Sequence, residues 1–326
     1  MLIYAGIDEA GYGPMLGPLA AAATVFRISD ADPEEGPPQL WSRLEKVVAR
    51  SPADRRKRLA IADSKRLKGA RDGRAHPLRH LERGVLCMLA AADDRDIAES
   101  DGEAFERLGI DLARLETRPW YRDPTPLPQG ATRDRLAIDA ARLKRELDAA
   151  GIEIVGMFAE AVDEEAFNRL CRSAGKAHVN FHAAMRLVDR IWTDHGTETP
   201  RVIVDRHGGR SDYVEPLMRS FPDAELEEIG RTDRISRYRL RRSGGEIVLS
   251  FEAESEDRHL PTALASMTAK LVREWSMARF NRHFATIAPE VKPTAGYVAD
   301  ARRWLEEIAP EFQRRGVRRS DLVRIA

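Results

Sequence analysis

The chain has 326 residues, of which 43% are hydrophobic and 33% charged, enough for one sizeable core with insertions or two modest domains. Its formal net charge is +0, so no global basic field holds an anionic partner and only local patches remain for that purpose. Cys87 and Cys171 match no zinc spacing and point to a reducing, cytoplasmic setting rather than a disulfide scaffold.

The first residues lack the pattern of a signal peptide, and no run reaches the ~18–20 apolar residues of a membrane span. Residues 2–7 and 19–28 are apolar runs and predict two strands. Residues 30–38 predict a loop, 39–50 a helix, and 61–69 a polar turn followed by basic residues. From 70 to 150 the chain is charged and helical in pattern, interrupted at 118–130 by four prolines and a glycine that forbid regular structure. This stretch predicts a helical insertion outside the sheet. Residues 151–170 return to a strand and then a helix. Residues 178–192 carry a stripe of Val179, Ala183, Leu187 and Ile191 and predict a helix. Residues 201–205 predict a buried strand ending in an aspartate. Strands are also predicted at 224–230, 235–242 and 246–254, and a long helix at 261–284 with proline in its first turn. The class is α/β with a mixed sheet.

The chemistry gathers at acidic strand ends. Asp8 and Glu9 close the first strand inside "GIDEAGYGP", and Asp205 closes "RVIVD". In open α/β sheets, functional groups collect at such ends. A third acidic cluster, Glu254, Glu256 and Asp257, lies between a strand and the long helix. Acids of this kind also cap helices or simply face solvent. Brought together, they would repel one another by several kcal/mol unless cations neutralised them. Hard oxygen ligands suit Mg²⁺ or Mn²⁺, and two such ions clamp the attacking and leaving oxygens of a phosphodiester.

"GIDEAGYGPMLGPLAAAATVF" resembles the first motif of the type 2 ribonucleases H, the ribonuclease HII group. "ADSKRL", "VDEEAFNRL", "VNFHAAM", "VIVD", "ALASMTAKLVRE" and "AGYVADARRWL" resemble later motifs of that family in the same order. The resemblance spans residues 2–67 and 151–322. It implies a ribonuclease H-like fold, a mixed sheet flanked by helices, here one catalytic domain over 1–326 with a helical insertion at 70–150. It implies that Asp8, Glu9, Asp205 and one acid at 254–257 are catalytic and bind two Mg²⁺ or Mn²⁺ ions. Asp257 precedes "RHLP", which resembles the family's D-x-x-Y-P run, and is the choice for the fourth acid. Glu256 fits a count back from the "ASM" helix without gaps, and Glu254 is the third alternative.

Around the acids, Gly11 and Gly13 let backbone approach a phosphate or sugar closely, and the resemblance implies contact with a ribose 2′-hydroxyl. Tyr12 stands where the family has arginine; it keeps an O–H donor and loses the cationic fork. Lys65, Arg66 and Lys68, with Lys270 and Arg273 on one helical face, are expected phosphate contacts or solvated surface. Tyr297 is an expected stacking residue or a core tyrosine, and His207 an expected loop histidine, or else a group that assists proton transfer or holds a phosphate.

The expected activity is metal-dependent cleavage of RNA paired with DNA, or of ribonucleotides embedded in DNA, leaving 5′-phosphate and 3′-hydroxyl ends. The alternative is a relative that binds hybrid or structured nucleic acid without cutting it. A monomer with no membrane partner is expected.

Overall fold

The computed structural model describes residues 1–32, 36–54, 56–69 and 75–325. Residues 33–35 of the expected loop and 70–74 of the expected insertion lie outside the described residues. In chain order the elements begin with β1 (Leu2–Ala10), β2 (Leu19–Ile28), α1 (Leu40–Arg43), β3 (Val48–Ala49), β4 (Leu59–Ala60) and α2 (Ser64–Leu67). The middle stretch forms α3 (Arg79–Asp93), α4 (Asp101–Arg107), α5 (Leu112–Leu115) and α6 (Arg133–Ala149). Then come β5 (Ile152–Val162), α7 (Glu164–Ala174), α8 (Lys176–His195), β6 (Arg201–Asp205) and α9 (Val214–Ser220). The chain continues with β7 (Glu225–Arg231), β8 (Ile235–Arg242), β9 (Gly245–Glu252), α10 (Leu260–Ala285) and α11 (Val298–Arg315).

Seven strands form one mixed sheet in the order β5-β2-β1-β6-β9-β8-β7. β1 runs parallel to β6 and β6 parallel to β9, while the other pairs are antiparallel. Side chains alternate across the sheet, so β1 feeds two cores. Leu2 and Tyr4 join a core with Val85 of α3, Met267 and Trp275 of α10 and Trp304 of α11. Ile3, Ala5 and Ile7 join a second core with Phe181, Leu187 and Ile191 of α8 and Tyr238 and Phe251 of the sheet. Helices therefore cover both faces, the class expected from the sequence.

α10 is buried nearly all round, because it lies between the sheet and the helices of the middle stretch. Its first turn presses directly on β1: a Cβ added to Gly6 would lie 2.1 Å from the backbone nitrogen of Thr262. Only glycine lets the helix come this close, two residues before Asp8.

The helix expected at 39–50 is cut short at Arg43. Val47 and Val48 are buried, and Val48–Ala49 pairs with Leu59–Ala60, an extended geometry that β-branched residues favour. No helix among the described residues is long and apolar enough to cross a membrane.

Candidate active site

The register of the parallel pair sets the centre of the site. Ile7 lies level with Val204 in the last pair of the parallel ladder, so the next residues, Asp8 and Asp205, stand side by side on neighbouring strands. Neighbouring strands lie about 4.8 Å apart. By alternation Asp8 and Asp205 turn toward α10, where Ser266 hydrogen-bonds Asp8. Glu9 turns toward α8, where Asn180 hydrogen-bonds it. The Glu9 N–H donates to Asp8 Oδ1 at 2.7 Å. Asp205 Oδ1 accepts from the Ser255 N–H at 3.2 Å and from its hydroxyl at 2.8 Å. Ser255 opens a single 3-10 turn after β9, and that turn delivers Glu256.

These acids act on one another. Burial holds the Asp8 carboxyl well above the usual carboxylate range, and the charges of Glu9 and Asp205 push it further. Burial and then Asp205 raise Glu9 to about 7. Burial raises Glu256 as well, with Asp205 and Asp63 adding repulsion. The cation that opposes this is Lys65, whose charge lowers both Glu9 and Glu256. His207 Nε2 stands 3.9 Å from Glu9 Oε2, but burial, then Arg210, pulls the imidazole down to about 4. It is neutral at neutral pH and does not compensate the acids.

The donor set has the chemistry that Mg²⁺ or Mn²⁺ takes: carboxylate oxygens, whose charge Lys65 offsets only in part. Glu256 Oε2 is buried without a hydrogen-bond partner, an oxygen left for a ligand to satisfy. Among the described residues, no three His, Cys, Asp or Glu side chains already close into a metal-ligand group.

Asp257, the choice from sequence for the fourth acid, lies at the surface: its carboxylate turns out to Arg66 at 3.0 Å and its side chain is 45% exposed. Glu254 takes a left-handed backbone conformation at φ 53° and pairs outward with Arg234 at 2.6 Å. Glu256, between them, is the one of the three whose proton affinity Asp205 raises and whose charge raises that of Glu9.

The loop after β1 is held from below by two buried guanidinium groups. Arg324 Nη2 donates to the carbonyl of Gly11 at 2.6 Å and Nε to that of Pro14 at 3.1 Å. Arg273 donates to the carbonyls of Pro18 at 2.8 Å and Leu16 at 3.1 Å. Arg273 is therefore a clamp on the loop and not the phosphate contact expected of it. Lys270 pairs with Glu274 at 2.9 Å, which also receives Lys68 at 2.6 Å. Gly11 has φ +90°, which glycine adopts without strain. Gly13 faces open space, with nothing within 4 Å of an added Cβ. Tyr12 and Tyr297 stand on the surface, 40% and 49% exposed, and Lys65 is exposed as well. Asn180, Ser255 and Arg324 were not singled out from the sequence, where they read as an ordinary helix, an acidic loop and a basic tail.

No protein-family model matches the chain, and no curated protein matches it in sequence. Among solved structures it is similar to the RNase HII of Archaeoglobus fulgidus, solved in a complex with PCNA. That match has 17% identity and a TM-score of 0.41, over 99% of this chain and 94% of the other. The ribonuclease H2 of Pyrococcus horikoshii OT3 is 14% identical with a TM-score of 0.44, over 98% of this chain and 92% of that one. Bst-RNase HIII, solved in complex with Mn²⁺, is 13% identical with a TM-score of 0.42, over 99% and 66%. The fold class of this chain rests on the strand order of its own sheet.

Proposed function

We propose that the chain is a divalent-cation-dependent endonuclease that cuts RNA paired with DNA, or ribonucleotides embedded in DNA, leaving 5′-phosphate and 3′-hydroxyl ends. The observation that carries this reading is the convergence of Asp8, Glu9 and Glu256 on Asp205, whose charge raises the proton affinity of all three, with Lys65 opposing it at Glu9 and Glu256. The ordered motif resemblance supports it independently.

Asp8, Glu9, Asp205 and Glu256 would hold two Mg²⁺ or Mn²⁺ ions. When bound, such ions neutralise the acids and stabilise the charge that develops on attacking and leaving oxygens of a phosphodiester. The remaining work belongs to the chain. Ser255 and Ser266 fix the rotamers of Asp205 and Asp8, and Asn180 fixes that of Glu9. The clamped Gly11–Tyr12–Gly13 loop offers backbone to the sugar of the cut strand, with Gly13 leaving room for close approach. Lys65 contacts a backbone phosphate, and Tyr297 offers a face for stacking.

The test is cleavage of labelled duplexes containing zero, one, four or many ribonucleotides, each with Mg²⁺ and with Mn²⁺. The reading expects ribonucleotide-dependent cuts and none in the all-DNA duplex. Binding of hybrid without any cut would favour a non-cleaving relative, and neither binding nor cutting would remove both.

A further inference from the structure

Tyr12 projects from the site loop, and the loop supplies no cation of its own beside it. A cation arrives from another element. Lys176, the first residue of α8, places its Nζ 5.1 Å from the centroid of the Tyr12 ring. α8 is also the helix whose Asn180 bonds Glu9. Residues four apart share a helix face and lie about 6 Å apart along the axis. One face of α8 therefore addresses the acids through Asn180 and the loop through Lys176, a single turn away.

Among the described residues the ammonium of Lys176 has no carboxylate to answer. It makes no ion pair with any of them, and the groups that bear on its charge are Arg324 and Cys171. Arg324 is already committed to the carbonyls of Gly11 and Pro14. A contact over an exposed ring is weaker than a charge-assisted hydrogen bond to phosphate, so an arriving phosphate draws the ammonium across.

We propose that Lys176 and Tyr12 form one composite nucleotide site beside the acids. The ring packs against a sugar or base, and the ammonium binds the adjoining backbone phosphate. This rests on the proposed function, in that the ligand is a nucleic-acid strand entering the same centre. Lys176 thus supplies from α8 the positive charge that the loop lacks.

The test is anisotropy of a labelled duplex with one ribonucleotide, titrated with Asp8→Asn protein and with Asp8→Asn/Lys176→Gln protein. The first substitution suppresses cutting during the titration. Salt is varied between about 50 and 200 mM, where each lost phosphate contact lowers the slope of log affinity against log salt by about one. The proposal expects that loss in Lys176→Gln, its restoration in Lys176→Arg, and no change in Lys144→Gln, whose lysine pairs with Asp94. Tyr12→Ala weakens binding without changing the slope. An unchanged slope in Lys176→Gln overturns the composite site even if the wild type cuts well. A reduced slope alongside a wild type that cuts nothing keeps the site and removes only the nuclease reading. Absence of duplex binding overturns both.

Discussion

Asp8 and Asp205 follow the last paired residues of two neighbouring parallel strands, Ile7 and Val204, and turn toward the same helix, α10. Their separation is set by the strand spacing, which a flexible loop does not disturb. Glu9 and Glu256 close on this pair from the α8 side and from the turn before α10. The centre is therefore a store of repulsion built on rigid elements, and a cation is what would relieve it.

Stability without divalent ions should fall as pH rises through neutrality. Glu9 has a folded value of about 7 against 4.5 for the free group, so the folded chain holds its proton more tightly than the unfolded one. The sign follows: stability is fully present below about 4.5 and declines until the folded value is passed. Glu164, raised to about 6 by burial, adds a loss of the same sign away from the acid cluster. Melting temperatures between about pH 6.5 and pH 8 should thus decline in chelator, above the window in which His207, held down at about 4, contributes with the opposite sign. Millimolar Mg²⁺ or Mn²⁺ should recover the part due to the cluster and leave the part due to Glu164. A curve indifferent to divalent ions would contradict a converged site.

Glu256→Gln should reduce cleavage by ~100-fold or more, because it removes a charged oxygen from the cation site. Asp257→Asn should stay within about threefold of wild type, since it breaks only a surface pair with Arg66. Turnover of the two variants, measured side by side, decides which acid belongs to the centre. An inactive Asp257→Asn with an active Glu256→Gln would reverse the assignment.

Gly6→Ala should destabilise the fold by about 3 kcal/mol, the upper range for overpacking. The added methyl would lie 2.1 Å from a backbone nitrogen of α10, where no flexible side chain can give way. Urea midpoints test this, and an unaltered midpoint would show that α10 can shift freely. Its activity should fall too, because α10 carries the serine that orients Asp8.

Arg324→Met should leave the carbonyls of Gly11 and Pro14 without their donors, at a cost of about 1–3 kcal/mol. Hydrogen exchange should rise in the loop at 11–18 before it rises in the sheet. Uniform exchange in both would mean that the tail does not hold the loop.

The parts of the fold that rest on unbroken patterns were legible. Residues 19–28 and 201–205 are continuous buried runs and form β2 and β6 with those bounds. The stripe at 178–192 lies within α8. α11 also carries a stripe, Ala301, Trp304, Leu305, Ile308 and Phe312, that its segment displays at helical spacing. It was read only for its resemblance, and the helix was missed. At the candidate site, the strand pattern made the neighbouring placement of Asp8 and Asp205 readable. The choice between Glu256 and Asp257 was not, because it turns on the left-handed Glu254 and a three-residue turn. Arg273 and Arg324 misled or went unnoticed for a shared reason. A buried arginine that binds only carbonyls looks in sequence like any surface cation.

The most direct test of the central claim is cleavage of an RNA/DNA hybrid by purified wild type, Asp8→Asn and Asp205→Asn protein in Mg²⁺ and in Mn²⁺. Both substitutions keep side-chain size and remove charge, so circular dichroism should be unchanged and melting temperature in chelator equal or higher. The account predicts cutting by the wild type alone, with both variants reduced by ~100-fold or more. Folded variants that cut within a few-fold of wild type would contradict it.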